Sequence, residues 1–177
     1  MTARRLTQSE VALAQRLFKA SIDYEFVRIH DRGYTFIQRA QSGMTPNGQI
    51  YVTGRVHSDY ARASPDAQSF FIHEMAHVWQ KQCRILHPVW SAIGNSLRHA
   101  FVYERAYAYT LRADRDLLHY RMEQQAQIIE DYFRITALRL RPRRGRLRNR
   151  ETDEMLRNLF HAVLSRFFED PSYGRRR

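Results

Sequence analysis

Apolar residues along this chain recur at strand spacing in a few short early stretches and at helical spacing in longer ones, which dominate the second half. Thr7-Gln8-Ser9-Glu10 is a capping box, with Leu6 and Val11 placed as the hydrophobic staple around it. It predicts a helix over 8–20 that buries Val11, Ala14, Leu17 and Phe18. Residues 24–30 and 34–38 read as strands on either side of the turn Asp31-Arg32-Gly33. Asn47-Gly48 marks another turn, leading into a strand over 49–52. Ser64 can cap a helix whose first turn holds Pro65, and nothing between Asp66 and Cys83 breaks it. Ile72, Ala76, Trp79 and Cys83 form one stripe of that helix, with Phe71, Met75 and Val78 beside it; so wide an apolar surface predicts burial. His87-Pro88 ends or interrupts the next segment. Further helices are expected over 92–111, over 120–138 with Met122, Ala126, Ile129, Phe133 and Ala137 on one stripe, and over 152–169 with Leu156, Leu159, Val163, Leu164 and Phe167. Glu151, Asp153 and Glu154 suit the start of the last one. A small sheet early and helices later define the α+β class.

The 177 residues suffice for one domain with a real core, and 44% hydrophobic content excludes a disordered chain. No apolar run approaches a membrane span, and the N-terminus lacks the apolar stretch of a secretory signal. Cys83 is the single cysteine, which excludes an internal disulfide and a cysteine-based metal site and suits a small core residue. Net charge is +11, and all but two of the 29 basic residues are arginine. Such a charge favours anionic partners: nucleic acid, phospholipid or acidic cell-wall polymer. Seven arginines crowd the segment 139–150 around Pro142 and Gly145, which reads as an exposed Arg-rich linker between a core over 6–138 and a C-terminal helix and basic tail over 151–177.

The chemistry lies in His73-Glu74-Met75-Ala76-His77. On a helix, His73 and His77 are one turn apart and project from one face, as two imidazoles must to hold one Zn²⁺. Glu74 is displaced by about 100° around the axis, so its carboxylate can reach a metal-bound water without binding the metal. Glu74 is thus the candidate general base, and a purely structural zinc would have no use for it. A catalytic zinc takes three protein ligands and one open position. Glu123, bordering its helix's apolar stripe with the small Ala126 one turn on, is the leading candidate for the third ligand; Glu104 is its rival. A second oxyanion donor could come from Tyr107, Tyr109, His119 or Tyr120, and the pattern does not choose among them. The basic charge keeps two other readings open: a nucleic-acid- or envelope-binding module with structural zinc, and a housekeeping or DNA-associated zinc protease.

Several blocks occur in a familiar order: Ile22-Asp23-Tyr24, Val27-Arg28-Ile29-His30, Met44-Thr45-Pro46-Asn47-Gly48-Gln49-Ile50-Tyr51, Phe71 to Gln80, and Glu123 to Phe133. The chain from Leu6 to Arg134 resembles the small zincin-like metallopeptidase domains at the C-termini of type VI secretion spike proteins and Rhs-family toxins. The resemblance implies His73, His77 and Glu123 as zinc ligands. It also implies an edge strand, Gln49, Ile50, Tyr51 and Val52, that pairs with an extended peptide or protein substrate, possible cell-wall peptides included. It further implies an antibacterial effector made in the cytoplasm, carried by a dedicated secretion system with a spike protein, and acting in the periplasm of a target cell, with a cognate immunity protein as a further partner. The Arg-rich segment and the last helix lie outside the matched part.

Overall fold

The computed structural model describes residues 3–34, 38, 42–85 and 107–175. The chain divides into two compact units, Met1–Cys83 and Arg84–Arg177. With a small four-stranded sheet and four helices among the described residues, the fold is α+β, as expected.

In the first unit, β1 (Ala3–Arg5) precedes α1 (Gln8–Phe18). The capping box forms as the sequence predicts: the Glu10 backbone N–H donates to Thr7 Oγ1, and the Thr7 backbone N–H donates to the Glu10 carboxylate. α1 ends two residues early, at Lys19, which has a left-handed φ of 48°. β1 is a strand that the sequence does not announce. It is held by Arg4, whose guanidinium donates to both Glu10 carboxylate oxygens at 2.8 and 2.7 Å and to the His57 carbonyl. Glu10 is fully buried and also accepts from the Tyr60 backbone N–H at 2.8 Å.

The strand expected over 24–30 is shorter. Residues Tyr24–Phe26 form a 3₁₀ turn, because the Asp23 side chain accepts from the Glu25 N–H and bends the chain; β2 then runs over Arg28–Asp31. Of the strand expected over 34–38, residues 35–37 lie outside the described residues. β3 (Gly43–Met44) and β4 (Ile50–Val52) come next, joined through the Asn47-Gly48 turn, where Gly48 takes a left-handed φ of 81°. The sheet order is β1-β2-β4-β3, with β2 and β4 parallel and the other two pairings antiparallel.

This order corrects the expected edge strand. β4 is interior, with Ile50, Tyr51 and Val52 all buried, and its neighbours β2 and β3 already take its main-chain hydrogen bonds. Gln49 precedes β4 and spends its side-chain amide on the Phe26 carbonyl. Among the described residues, Ile50, Tyr51 and Val52 thus lie in an interior strand and the edge on that side is β3, while Gln49 stands outside the ladder. α2 (Pro65–Gln82) completes the unit, its Trp79 set 6.4 Å from Phe18 of α1 and its Phe71 stacked on Tyr60.

In the second unit, α3 (Met122–Thr136) and α4 (Asp153–Glu169) occupy nearly their expected ranges. Tyr132 of α3 packs against Phe160, His161 and Phe168 of α4. Residues 92–106 of the helix expected over 92–111 lie outside the described residues.

The Arg-rich stretch is laid along its own unit and is not a free linker. Leu147 bridges Tyr109, with the Tyr109 N–H donating to the Arg146 carbonyl and the Arg148 N–H to the Tyr109 carbonyl. Asn149 exchanges two hydrogen bonds with the Leu111 backbone. Arg143 pairs with buried Glu130 and gives its backbone N–H to Asp131. Counting arginines signals exposure, but one buried carboxylate pair is enough to fix such a segment in place.

Candidate metal centre

α2 owes its start to Ser64, whose hydroxyl accepts from the Ala67 N–H, to Pro65 in its first turn and to Asp66 beside it; Lys81 suits its last turn. From Phe71 to Gln80 every residue is buried. The motif therefore sits on the deepest stretch of the unit, with His73, Glu74 and His77 at 8, 4 and 5% exposure.

The two imidazoles stand 4.9 Å apart between ring centroids, with their planes at 79°. His77 Nδ1 lies 2.8 Å from Gln80 Oε1. With the Gln80 carbonyl oxygen as acceptor, His77 donates from Nδ1 and its lone pair is on Nε2, the form a metal ligand needs. Gln80 is itself completely buried, so the tautomer is held in a dry setting.

Glu74 turns to β3. Its Oε2 accepts a 2.6 Å hydrogen bond from the Thr45 hydroxyl. Its Oε1 lies where any side chain on residue 43 would stand: a Cβ built on Gly43 would collide with Oε1 and fall 2.7 Å from the Phe70 ring. Glycine is required there by close approach. Gly43, Thr45 and Gln80 are the residues that reading the motif alone passes over. Thr45 and Gln80 nevertheless lie inside two of the blocks that carry the family resemblance, and Gly43 stands next to one.

In the second unit, Glu123 is a half-buried carboxylate in the first turn of α3. The start of α3 is fixed by Gln124, which accepts from the Arg121 N–H and donates to the Ala108 carbonyl. Ala126, one turn on, is fully buried. Glu104 lies outside the described residues.

The oxyanion-donor candidates have structural work in that unit. Tyr109 donates to Asp131 at 2.8 Å, Tyr120 donates to the Thr110 carbonyl and accepts from the Arg112 N–H, and His119 Nδ1 accepts from the Asp116 N–H. The Tyr107 ring lies under the Arg146 guanidinium. Burial and the neighbouring Glu130 charge push the Asp131 carboxyl up to about 7, and burial beside Asp131 holds the Tyr109 hydroxyl well above its ordinary value.

No family model matches the chain. It is 38% identical over 134 residues, 73% of its length, to the type VI secretion system spike protein VgrG2b of Pseudomonas aeruginosa, and spans 13% of that relative's length. It also superposes on the effector domain of Pseudomonas aeruginosa VgrG2b with a TM-score of 0.69 at 30% identity, covering 93% of this chain and 83% of that one. Coverage of this kind at this identity reaches well past the motif helix, and the chain belongs to the family of type VI secretion effector domains that VgrG2b carries.

Proposed function

We propose that this chain is a zinc-dependent metallopeptidase, deployed as an antibacterial effector of a type VI secretion or Rhs system in the envelope of a target cell. The observation that carries the reading is the buried pair His73 and His77 with Glu74 between them in sequence, its carboxylate aimed off the helix and braced by Thr45. The sequence supplies Glu123, a half-buried carboxylate in the first turn of α3, as the expected third donor. Two neutral imidazoles and one carboxylate are the ligand types of a catalytic zinc, and the Gln80 contact keeps one imidazole in the required tautomer.

A bound zinc would supply Lewis acidity and lower the pKa of a water molecule towards neutrality. Glu74 would act as the general base, taking a proton from the attacking water and delivering it to the departing amide nitrogen. Thr45 holds Glu74 in line for both transfers. An extended peptide substrate would pair with the edge strand β3, whose Gly43 abuts Glu74, and main-chain pairing of that kind gives affinity with little sequence preference. The intact, buried Glu74 favours this reading over a structural zinc in a binding module.

The test combines metal analysis with activity. Wild type should retain one zinc after dialysis, and Glu74→Ala should keep it while losing toxicity on expression directed to the periplasm. Glu123→Ala should lose tight zinc binding; Glu104→Ala should change it by at most about 100-fold. A protein whose stability ignores zinc, or a Glu74→Ala variant as toxic as wild type, would sink the proposal.

A further inference from the structure

The second unit carries a cleft of about 580 Å³ between the end of α3, the start of the Arg-rich stretch and the first turn of α4. Arg139, Arg141 and Arg157 line it, together with the apolar Leu140, Pro142 and Leu156. Asp153 is the one acidic residue of the lining, so the cleft keeps a net positive charge. The arginines of this region fall into two kinds. Arg143 and Arg146 are engaged within the unit, on Glu130 and on the Tyr107 ring. Arg139, Arg141 and Arg157 have no ion pair among the described residues and are exposed; Arg144, Arg148 and Arg150 share both properties but do not line the cleft.

Two further features mark this place. Arg139 takes a left-handed φ of 57°, a conformation that costs a residue other than glycine about 1–2 kcal/mol. Leu140 is 37% exposed, and Met155, beside Leu156 in the sequence, is 54% exposed; they are the only exposed large apolar residues among the described part of this unit. Unpaired guanidinium groups next to exposed aliphatic side chains fit the boundary between phosphate headgroups and acyl chains, where arginine meets the phosphate and leucine enters the apolar layer.

We propose that this cleft is a peripheral membrane-docking site that takes anionic phospholipid headgroups on Arg139, Arg141 and Arg157 while Leu140 inserts beside them. Nucleic acid is disfavoured by the apolar wall, which a phosphodiester backbone would leave unmatched. The site is independent of the zinc chemistry, and no helix of the described residues is long and apolar enough to cross a membrane, so the docking is on the surface.

Co-sedimentation of the full chain with phosphatidylcholine vesicles, with and without about one-third phosphatidylglycerol, tests it. Binding should require the anionic lipid and weaken with salt. Arg139→Ser/Arg141→Ser/Arg157→Ser should weaken it by about 100-fold, at roughly a factor of five per arginine. Arg144→Ser/Arg148→Ser/Arg150→Ser, with the same charge change, should cost under about 10-fold. Leu140→Ser should weaken binding by roughly 5-fold at unchanged charge, and Glu74→Ala should bind as wild type. Arg157→Ser alone, at an exposed position of α4, gives a reading should the triple variant fold poorly, and should cost about 5-fold. Absence of binding to the anionic vesicles, equal loss in the two triple variants, an unaffected Leu140→Ser, or duplex DNA binding that depends on the same three arginines but not on Leu140 would each overturn the proposal.

Discussion

The Thr45 hydroxyl donates a 2.6 Å hydrogen bond to Oε2 of Glu74, and so joins the loop after the edge strand to the motif helix. Both groups are buried, which makes the bond strong and the carboxylate's direction fixed. Thr45→Val keeps the shape and removes the donor. We expect it to lower cleavage of a fluorescent casein, or killing on periplasmic expression, by about 10- to 100-fold with zinc content unchanged. Thr45→Ser should retain most of the activity. Equal activity in the valine and serine variants would show that Glu74 does not depend on this hydroxyl.

Gly43 makes the second half of the same relationship. Its missing side chain is what lets the Glu74 carboxylate lie against β3, with Oε1 in the space an added Cβ would take. The Phe70 ring, 2.7 Å from that position, closes the alternative direction. Gly43→Ala should therefore displace Glu74, abolishing activity while the His73 and His77 pair still takes up zinc. Metal analysis beside the activity assay checks this, and a fully active Gly43→Ala would mean the strand shifts freely.

Arg4 and Glu10 set the stability of the first unit. Removing Arg4 leaves a fully buried carboxylate with only the backbone N–H groups of Thr7 and Tyr60 as strong donors. Arg4→Ala should cost about 3 kcal/mol, towards the low end for a broken buried pair because Arg4 is itself a quarter exposed. That corresponds to a fall in Tm on the order of 10 °C. Arg4→Met combined with Glu10→Gln should recover much of the loss. A thermal melt of the single and double variants decides it; purely additive losses would contradict the coupling.

The parts of the fold that are legible in the sequence are those written in local chemistry. The Thr7–Glu10 capping box, the Ser64 cap with Pro65, and the apolar stripes of α3 and α4 each place an element to within a few residues, because caps and periodicity act over one or two turns. The motif on α2 is legible for the same reason: its spacing is a property of one helix. The rest depends on partners far away in the chain. β1 is three residues fixed by Arg4 reaching Glu10 and His57, and β4 is interior because two-residue β3 pairs beyond it, a pairing that no alternation of apolar residues announces. Thr45 and Gly43 matter only because β3 meets α2, a contact that neither residue's neighbours in the chain disclose. Similarly, Arg143 differs from the arginines around it only through Glu130 and Asp131.

Asp131 gives the second unit a pH dependence of unusual sign. It accepts from Tyr109 and from the Arg143 N–H, with the Glu130 carboxylate next to it, itself paired with the Arg143 guanidinium and accepting from Gln127. Burial and the Glu130 charge raise Asp131 from an ordinary 3.8 to about 7. The folded state thus binds a proton more tightly than the unfolded chain does. Stability from this group is fully present below about pH 4 and is lost as pH rises through 7, opposite to a carboxylate held by an ion pair. Exposed carboxylates such as Asp114, which Arg112 holds below its usual value, act in the other direction, so the effect is read as a difference between variants. Asp131→Asn mimics the protonated form, and its amide can keep both contacts, since the Tyr109 hydroxyl can turn to accept. The Tm of Asp131→Asn minus that of wild type should therefore rise steadily from pH 4 to pH 8. A difference that stays constant across this range would show that Asp131 is ionised in the folded protein throughout, with Arg143 outweighing its burial.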